Sequence, residues 1–80
     1  MPIATVAQVC EAIGRLLGAP AHRVTAEAAL ADLATDSFAL IEMAIDVQEE
    51  YGVVFHQADL KAVRTVGDLA ALVAARQAGP

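Results

Sequence analysis

Asp36 and Ser37 are the residues of this chain whose types and spacing point most directly to chemistry. They place a carboxylate immediately before a hydroxyl, in the stretch Leu33-Ala34-Thr35-Asp36-Ser37-Phe38-Ala39-Leu40. A helix that starts here leaves its first backbone N–H groups without intrahelical partners and sets a fractional positive charge beside the serine. Both effects stabilise a phosphate at that point, which suits Ser37 to carry a phosphodiester. Asp36 is the expected N-cap. No other constellation competes. His22 and His56 stand in unrelated loop contexts with no second residue at metal or triad spacing. Cys10 falls beside Val9 and Ile13, the place of a buried small hydrophobe rather than a reactive thiol.

The elements that must position this pair read as helices. Aliphatic and small residues recur at helical spacing in three places, and the β-branched alternation of strands is absent. The first helix is expected from Thr5, which with Gln8 forms a capping box, and its apolar face is Val6, Val9, Ile13, Leu16 and Leu17. It should end near Gly18 and Pro20. A long connection from Ala19 to Thr35 follows, pinned to the core by Val24, Leu30 and Leu33, and loops of this length tend to be functional. The serine helix is expected from Ser37 to Tyr51, closed by Gly52. A short helical turn around Asp59 to Val63 precedes a last helix capped by Thr65 and Asp68, with Leu69, Leu72 and Val73 inward. The tail from Gln77 to Pro80 should fray.

A helical wheel separates two apolar faces on the serine helix. Leu40, Met43, Ala44, Val47 and Tyr51 form the broad face that a bundle core requires. Phe38, Ile41 and Ile45 lie on a neighbouring stripe flanked by Glu42, Asp46 and Glu49. Two readings are open: Ile41 and Ile45 widen the core face, or the stripe is a partner-docking surface, with apolar contacts for affinity and carboxylates for orientation. Its proximity to Ser37 favours docking.

Composition narrows the functional classes. Eighty residues make one small domain, expected to span 1-80. The hydrophobic content of 58% comes largely from alanine, and the apolar runs are far shorter than a bilayer span, so no membrane role is expected. A single cysteine excludes an internal disulfide, and no leader pattern opens the sequence, so a cytoplasmic location is expected. Ten acidic against five basic residues give a net charge of −5, which argues against nucleic acid. The aromatics Phe38, Tyr51 and Phe55 offer no stacking platform for single strands. Arg15, Arg23, Lys61, Arg64 and Arg76 are scattered and read as solvated, with Arg23 and Arg64 left as candidates for partner contact. A monomer is expected.

Across nearly its whole length the chain resembles the acyl carrier proteins, whose signature is Asp-Ser-Leu opening the second helix; here it reads Asp36-Ser37-Phe38. Further landmarks in register are Leu30-x-x-Leu33, Glu42, Glu49-Glu50-Tyr51-Gly52 and Thr65-Val66-Gly67-Asp68-Leu69. The resemblance implies an all-α four-helix bundle, three main helices and a short third one, with a long loop between the first two. It implies that Ser37 receives a covalent 4′-phosphopantetheine arm from coenzyme A through a magnesium-using phosphopantetheinyl transferase, and that Asp36 helps to hold the transferase's metal. The arm's thiol would hold acyl groups as thioesters, and its length would let one cargo visit several enzymes. The protein would then be a carrier and not an enzyme, served by acyl ligase, acyltransferase or synthase partners that dock on Phe38, Ile41, Glu42, Ile45 and Glu49. Leu40, Ala44, Val47, Leu60 and Val63 would line a pocket for a short acyl chain, or else serve only as core.

Three departures bear on the particular role. Ala34 replaces a common glycine, so this site either avoids positive φ or carries strain there. Phe38 enlarges the apolar surface beside the serine. Ala39, and a third-helix region Gln57-Ala58-Asp59-Leu60-Lys61 with few acids, imply weaker charge steering than in a fatty-acid carrier, pointing to polyketide or other specialised acyl metabolism. An aminoacyl or peptidyl carrier of the nonribosomal type is disfavoured because such domains show Gly-Gly-x-Ser before the helix. An unmodified helical interaction module remains the alternative from another class, since serine is common at helix starts.

Overall fold

A computed structural model describes residues 3–79. Local chemistry sets the ends of its three long helices. In α1 (Val6–Leu17) the Thr5 hydroxyl accepts the Gln8 N–H at 3.2 Å while Gln8 Oε1 accepts the Thr5 N–H at 2.9 Å. This reciprocal cap satisfies two donors that the helix cannot. Gly18 ends α1 in the left-handed region.

After a 3₁₀ turn at Ala21–Arg23 comes the one-turn helix α2 (Leu30–Leu33), then α3 (Ser37–Tyr51), α4 (Gln57–Ala62) and α5 (Val66–Ala78). The expected four-helix arrangement is present, with α2 as an added turn inside the long connection. Gly52 closes α3 at φ 65°, a conformation that costs a side-chain-bearing residue steric strain. Thr65 and Asp68 form the expected capping box on α5.

The core lies where α1 meets α5 and α3. Val9, Ile13, Val47, Val66, Leu69 and Val73 are almost wholly removed from water. Burying each of the larger of these is worth about 1.5–3 kcal/mol. Val24, Leu30 and Leu33 are buried, as their role as loop anchors requires, and Val53 and Phe55 anchor the segment after α3. Gln48 supports that crossing, its Oε1 accepting the Phe55 N–H at 2.9 Å.

Three expectations need correction. Val6 is 47% exposed and is not part of the α1 core face; Ala12 is buried instead. The short helix begins at Gln57 rather than near Asp59, because the Asp59 carboxylate reaches back to accept the His56 N–H at 2.9 Å and caps the turn there. The tail does not fray at Gln77: α5 continues to Ala78, and Gln77 Oε1 accepts the Ala4 N–H at 2.8 Å. Pro80 lies outside the described residues. Val47 is fully buried in the core.

One contact reaches from the long connection to the start of α5. The Leu30 N–H donates to the Arg64 carbonyl at 2.9 Å, Val66 to Ala28 at 3.0 Å and Gly67 to Ala26 at 2.8 Å. A Cβ at Gly67 would lie 3.0 Å from the Ala26 carbonyl oxygen, so glycine permits this approach. The clamp fixes α2, and with it the approach to Ser37.

Candidate functional site

The turn before α3 is short and strictly placed. Leu30 and Leu33 bury α2 against the core, the Ala34 N–H closes it on the Leu30 carbonyl at 3.1 Å, and Ala34 leaves in an extended conformation at φ −91° and ψ 149°. The glycine common in the resembling family is therefore not required here. Asp36 is also extended, and its Oδ1 accepts the Ala39 N–H at 2.8 Å.

Ser37 is the first residue of α3 and is exposed. Among the described residues neither the Ser37 nor the Phe38 N–H donates a hydrogen bond, and no acidic residue occupies the first turn of the helix. An exposed hydroxyl beside free amides at the positive end of a fifteen-residue helix fits a covalently held phosphodiester.

The stripe beside it lies in water. Phe38 is 67% exposed, Ile41 57% and Ile45 49%, and Glu42, Asp46 and Glu49 flank them on the exposed surface. The sequence left open whether Ile41 and Ile45 widen the core; at these exposures they do not. Leu40 and Tyr51, on the inner face, are partly buried, and the Tyr51 hydroxyl donates to the Gln8 carbonyl at 3.3 Å. Burial, then the nearby Glu50 charge, raises the Tyr51 hydroxyl above its ordinary pKa.

Behind Ile41 a cavity of about 260 Å³ opens between α2, α3, α4 and the start of α5. Leu40, Ala44, Leu60 and Val63 line it, joined by Leu30, Met43, Leu69 and Arg64. Val47 does not line it, because it points into the central core. Sequence reasoning did not assign Leu30, Met43, Leu69 and Arg64 to this role. A larger groove on the far side of α1 includes half-buried Cys10, Gly14 and Val24 and lies apart from Ser37's neighbours. His22 and His56 are both exposed.

A helical bundle that presents an exposed serine at a capped helix start fits a phosphopantetheine carrier, and the comparisons show that family. Residues 7–73 match the family described as the phosphopantetheine attachment site. The chain is 39% identical over 62 residues to an acyl carrier protein of Thermotoga maritima, covering 76% of each chain. It is 30% identical to an acyl carrier protein of Rhodococcus erythropolis over 85% of this chain and 76% of that one. To the meromycolate extension acyl carrier protein of Mycobacterium tuberculosis it is 33% identical over 85% of this chain, and it spans 60% of that relative's length.

The chain belongs to the acyl carrier protein family. Its members are carriers rather than enzymes, their prosthetic group is covalent 4′-phosphopantetheine, and they work with a phosphopantetheinyl transferase and with synthases and transferases. No helix among the described residues is long and apolar enough to cross a membrane.

Proposed function

We propose that Ser37 carries the arm and that residues 1-80 act as a single, monomeric, cytoplasmic carrier domain in polyketide or other specialised acyl metabolism. The observation that carries the assignment is the exposed Ser37 hydroxyl at the start of α3, with its own and the Phe38 amide free. Ser37 Oγ attacks the arm-bearing phosphate of coenzyme A. A new phosphorus–oxygen bond replaces the pyrophosphate link, the adenosine bisphosphate half leaves, and the hydroxyl proton passes to a base on the transferase. Asp36 serves twice, as N-cap through Oδ1 and as a carboxylate offered to the transferase's magnesium. The bound arm supplies a thiol that holds acyl groups as thioesters.

Phe38, Ile41 and Ile45 form the docking stripe, and Glu42 and Glu49 orient partners whose basic residues face them. The specialised role draws support from the first turn of α3, which lacks acids, and from α4, whose one acid, Asp59, is held by Arg76. Both reduce long-range steering. The name of the mycobacterial relatives, meromycolate extension carriers, supports lipid-type acyl cargo over an amino acid.

Intact mass decides the attachment. The parent incubated with coenzyme A, magnesium and a broad-specificity transferase should gain one phosphopantetheine, and Ser37→Ala none. A folded parent that gains nothing, or a mutant that gains the same mass, would sink the assignment.

A further inference from the structure

The cavity beside α3 has one charged wall. Leu40, Leu60, Val63 and Leu69 make it aliphatic, and Arg64 alone interrupts them with a charge. The backbone of Arg64 is held on both sides: its N–H donates to Asp68 Oδ2 at 3.1 Å, and its carbonyl accepts the Leu30 N–H at 2.9 Å. Its guanidinium makes no hydrogen bond or ion pair among the described residues. The other three arginines differ, Arg15 pairing with Glu50, Arg76 with Asp59, and Arg23 reaching the Asp32 carbonyl at 3.4 Å. Asp68, the acid nearest in sequence, already accepts the Thr65 and Arg64 backbone N–H groups.

A fixed backbone that sets an exposed arginine, without an ion pair among the described residues, at the edge of an apolar cavity favours a particular cargo. A plain hydrocarbon gains only the aliphatic wall. An acyl group with a distal carboxylate gains that wall and a charge-assisted hydrogen bond in addition. The cavity's volume of about 260 Å³ is small against the roughly 300–1,000 Å³ of typical ligand sites, which limits the cargo to a short chain. Resting on the reading of Ser37 as the attachment point, we infer that Arg64 is a specificity-determining residue that selects a short acyl group ending in a carboxylate. The carbon chain lies along Leu40, Leu60 and Val63, and the carboxylate meets the guanidinium.

The phosphate of the arm is a second source of anionic oxygen, and the experiment separates the two. The parent, Arg64→Leu and Arg64→Lys are prepared in the arm-only form and charged with hexanoyl or adipoyl groups, occupancy being verified by intact mass. Nitrogen–proton NMR then follows Arg64 Nε–H and the Leu60 and Val63 amides. Adipoyl, and not hexanoyl, should shift Arg64 Nε–H; Arg64→Leu should erase the adipoyl-specific shifts at Leu60 and Val63, and Arg64→Lys should restore part of them. The substitutions leave the backbone bonds of residue 64 in place, so the fold is retained. Equal shifts with both cargoes would overturn the proposal, as would an Nε–H already shifted by the arm alone, which would assign the guanidinium to the phosphate. A parent that takes no mass at Ser37 overturns the carrier reading itself, and this inference with it.

Discussion

Arg76 of α5 holds the Asp59 carboxylate of α4 at 2.5 Å, and the same oxygen accepts the His56 N–H at 2.9 Å. Since α4 buries no residue fully, this pair is a principal fastening of the helix that forms one side of the cavity. The Arg76 hydrogen bond, then the His56 N–H, hold the Asp59 carboxyl below its ordinary pKa. Arg76→Gln should speed amide exchange within Gln57–Ala62 while leaving α1 unchanged; uniform exchange in both proteins would show that the pair does not fasten α4.

Acid should act on the same points. Asp68 is likewise lowered, by the Thr65 N–H first and the Arg64 N–H second. A carboxylate with a depressed folded-state pKa contributes stability that is complete above its unfolded value of ~3.9 and is lost as pH falls through the folded one. Helicity followed by circular dichroism should therefore hold from neutrality to about that value and decline below it. Asp59→Asn and Asp68→Asn should each flatten the decline, and an unaltered acid limb in both would count against these two groups as its source.

Asp36 carries two roles that substitution can separate. Asp36→Ala removes the cap and should cost ~1 kcal/mol, a fall in Tm of roughly 4–8 °C for a domain this size. Asp36→Asn keeps a capping oxygen and should stay within a few tenths of a kcal/mol of the parent, about the spread among good N-caps. Its rate of arm transfer should nevertheless drop if the carboxylate serves the transferase's metal. Parallel melts and transfer kinetics check both, and an Asn variant loaded at the parental rate would leave Asp36 as a cap alone.

Phe38→Ala should leave stability within ~0.5 kcal/mol, since the ring is 67% exposed. Truncating an aromatic anchor of an interface commonly costs more than ~1 kcal/mol, so arm transfer efficiency should fall about tenfold. A variant that melts with the parent and loads equally well would remove Phe38 from the docking stripe.

Ile13→Ala and Val6→Ala form a contrasting pair on α1. The first opens a hole at a residue with no exposed surface and should cost ~2–5 kcal/mol. The second changes a residue 47% exposed and should stay within ~0.5 kcal/mol. Urea titration of both would measure the difference.

The sequence made the helix ends legible wherever the determinants are local. Thr5 with Gln8, Asp36 with Ala39, and Thr65 with Asp68 each lie three residues apart, and Gly18 and Gly52 announce their own conformation. The placement of Ser37 on α3 followed directly from that grammar. The anchors Val24, Leu30 and Leu33 were legible in the long connection, but its course was not. Its one-turn helix depends on Leu30 donating to Arg64, and its course on Gly67 approaching Ala26, partners 34 and 41 residues away. Arg64 reads from the sequence as solvated or open to a partner, and it is exposed; nothing adjacent in sequence reveals that it also borders the cavity. Val6 matched the helical period yet is 47% exposed, since periodicity identifies a face and not the burial of each residue on it.

The hydrogen bond from the Ala4 N–H to Gln77 Oε1 brings the two ends of the described chain together on the side of α1 and α5. Ends that meet can be joined by a short linker without stretching the helices. A circular permutant that closes this gap and opens the chain near Ala21, in the exposed turn after α1, would keep α3, the clamp and the cavity as they are. The same proximity would allow the bundle to be spliced into a surface loop of another protein, delivering Ser37 at a fixed distance from a chosen active site.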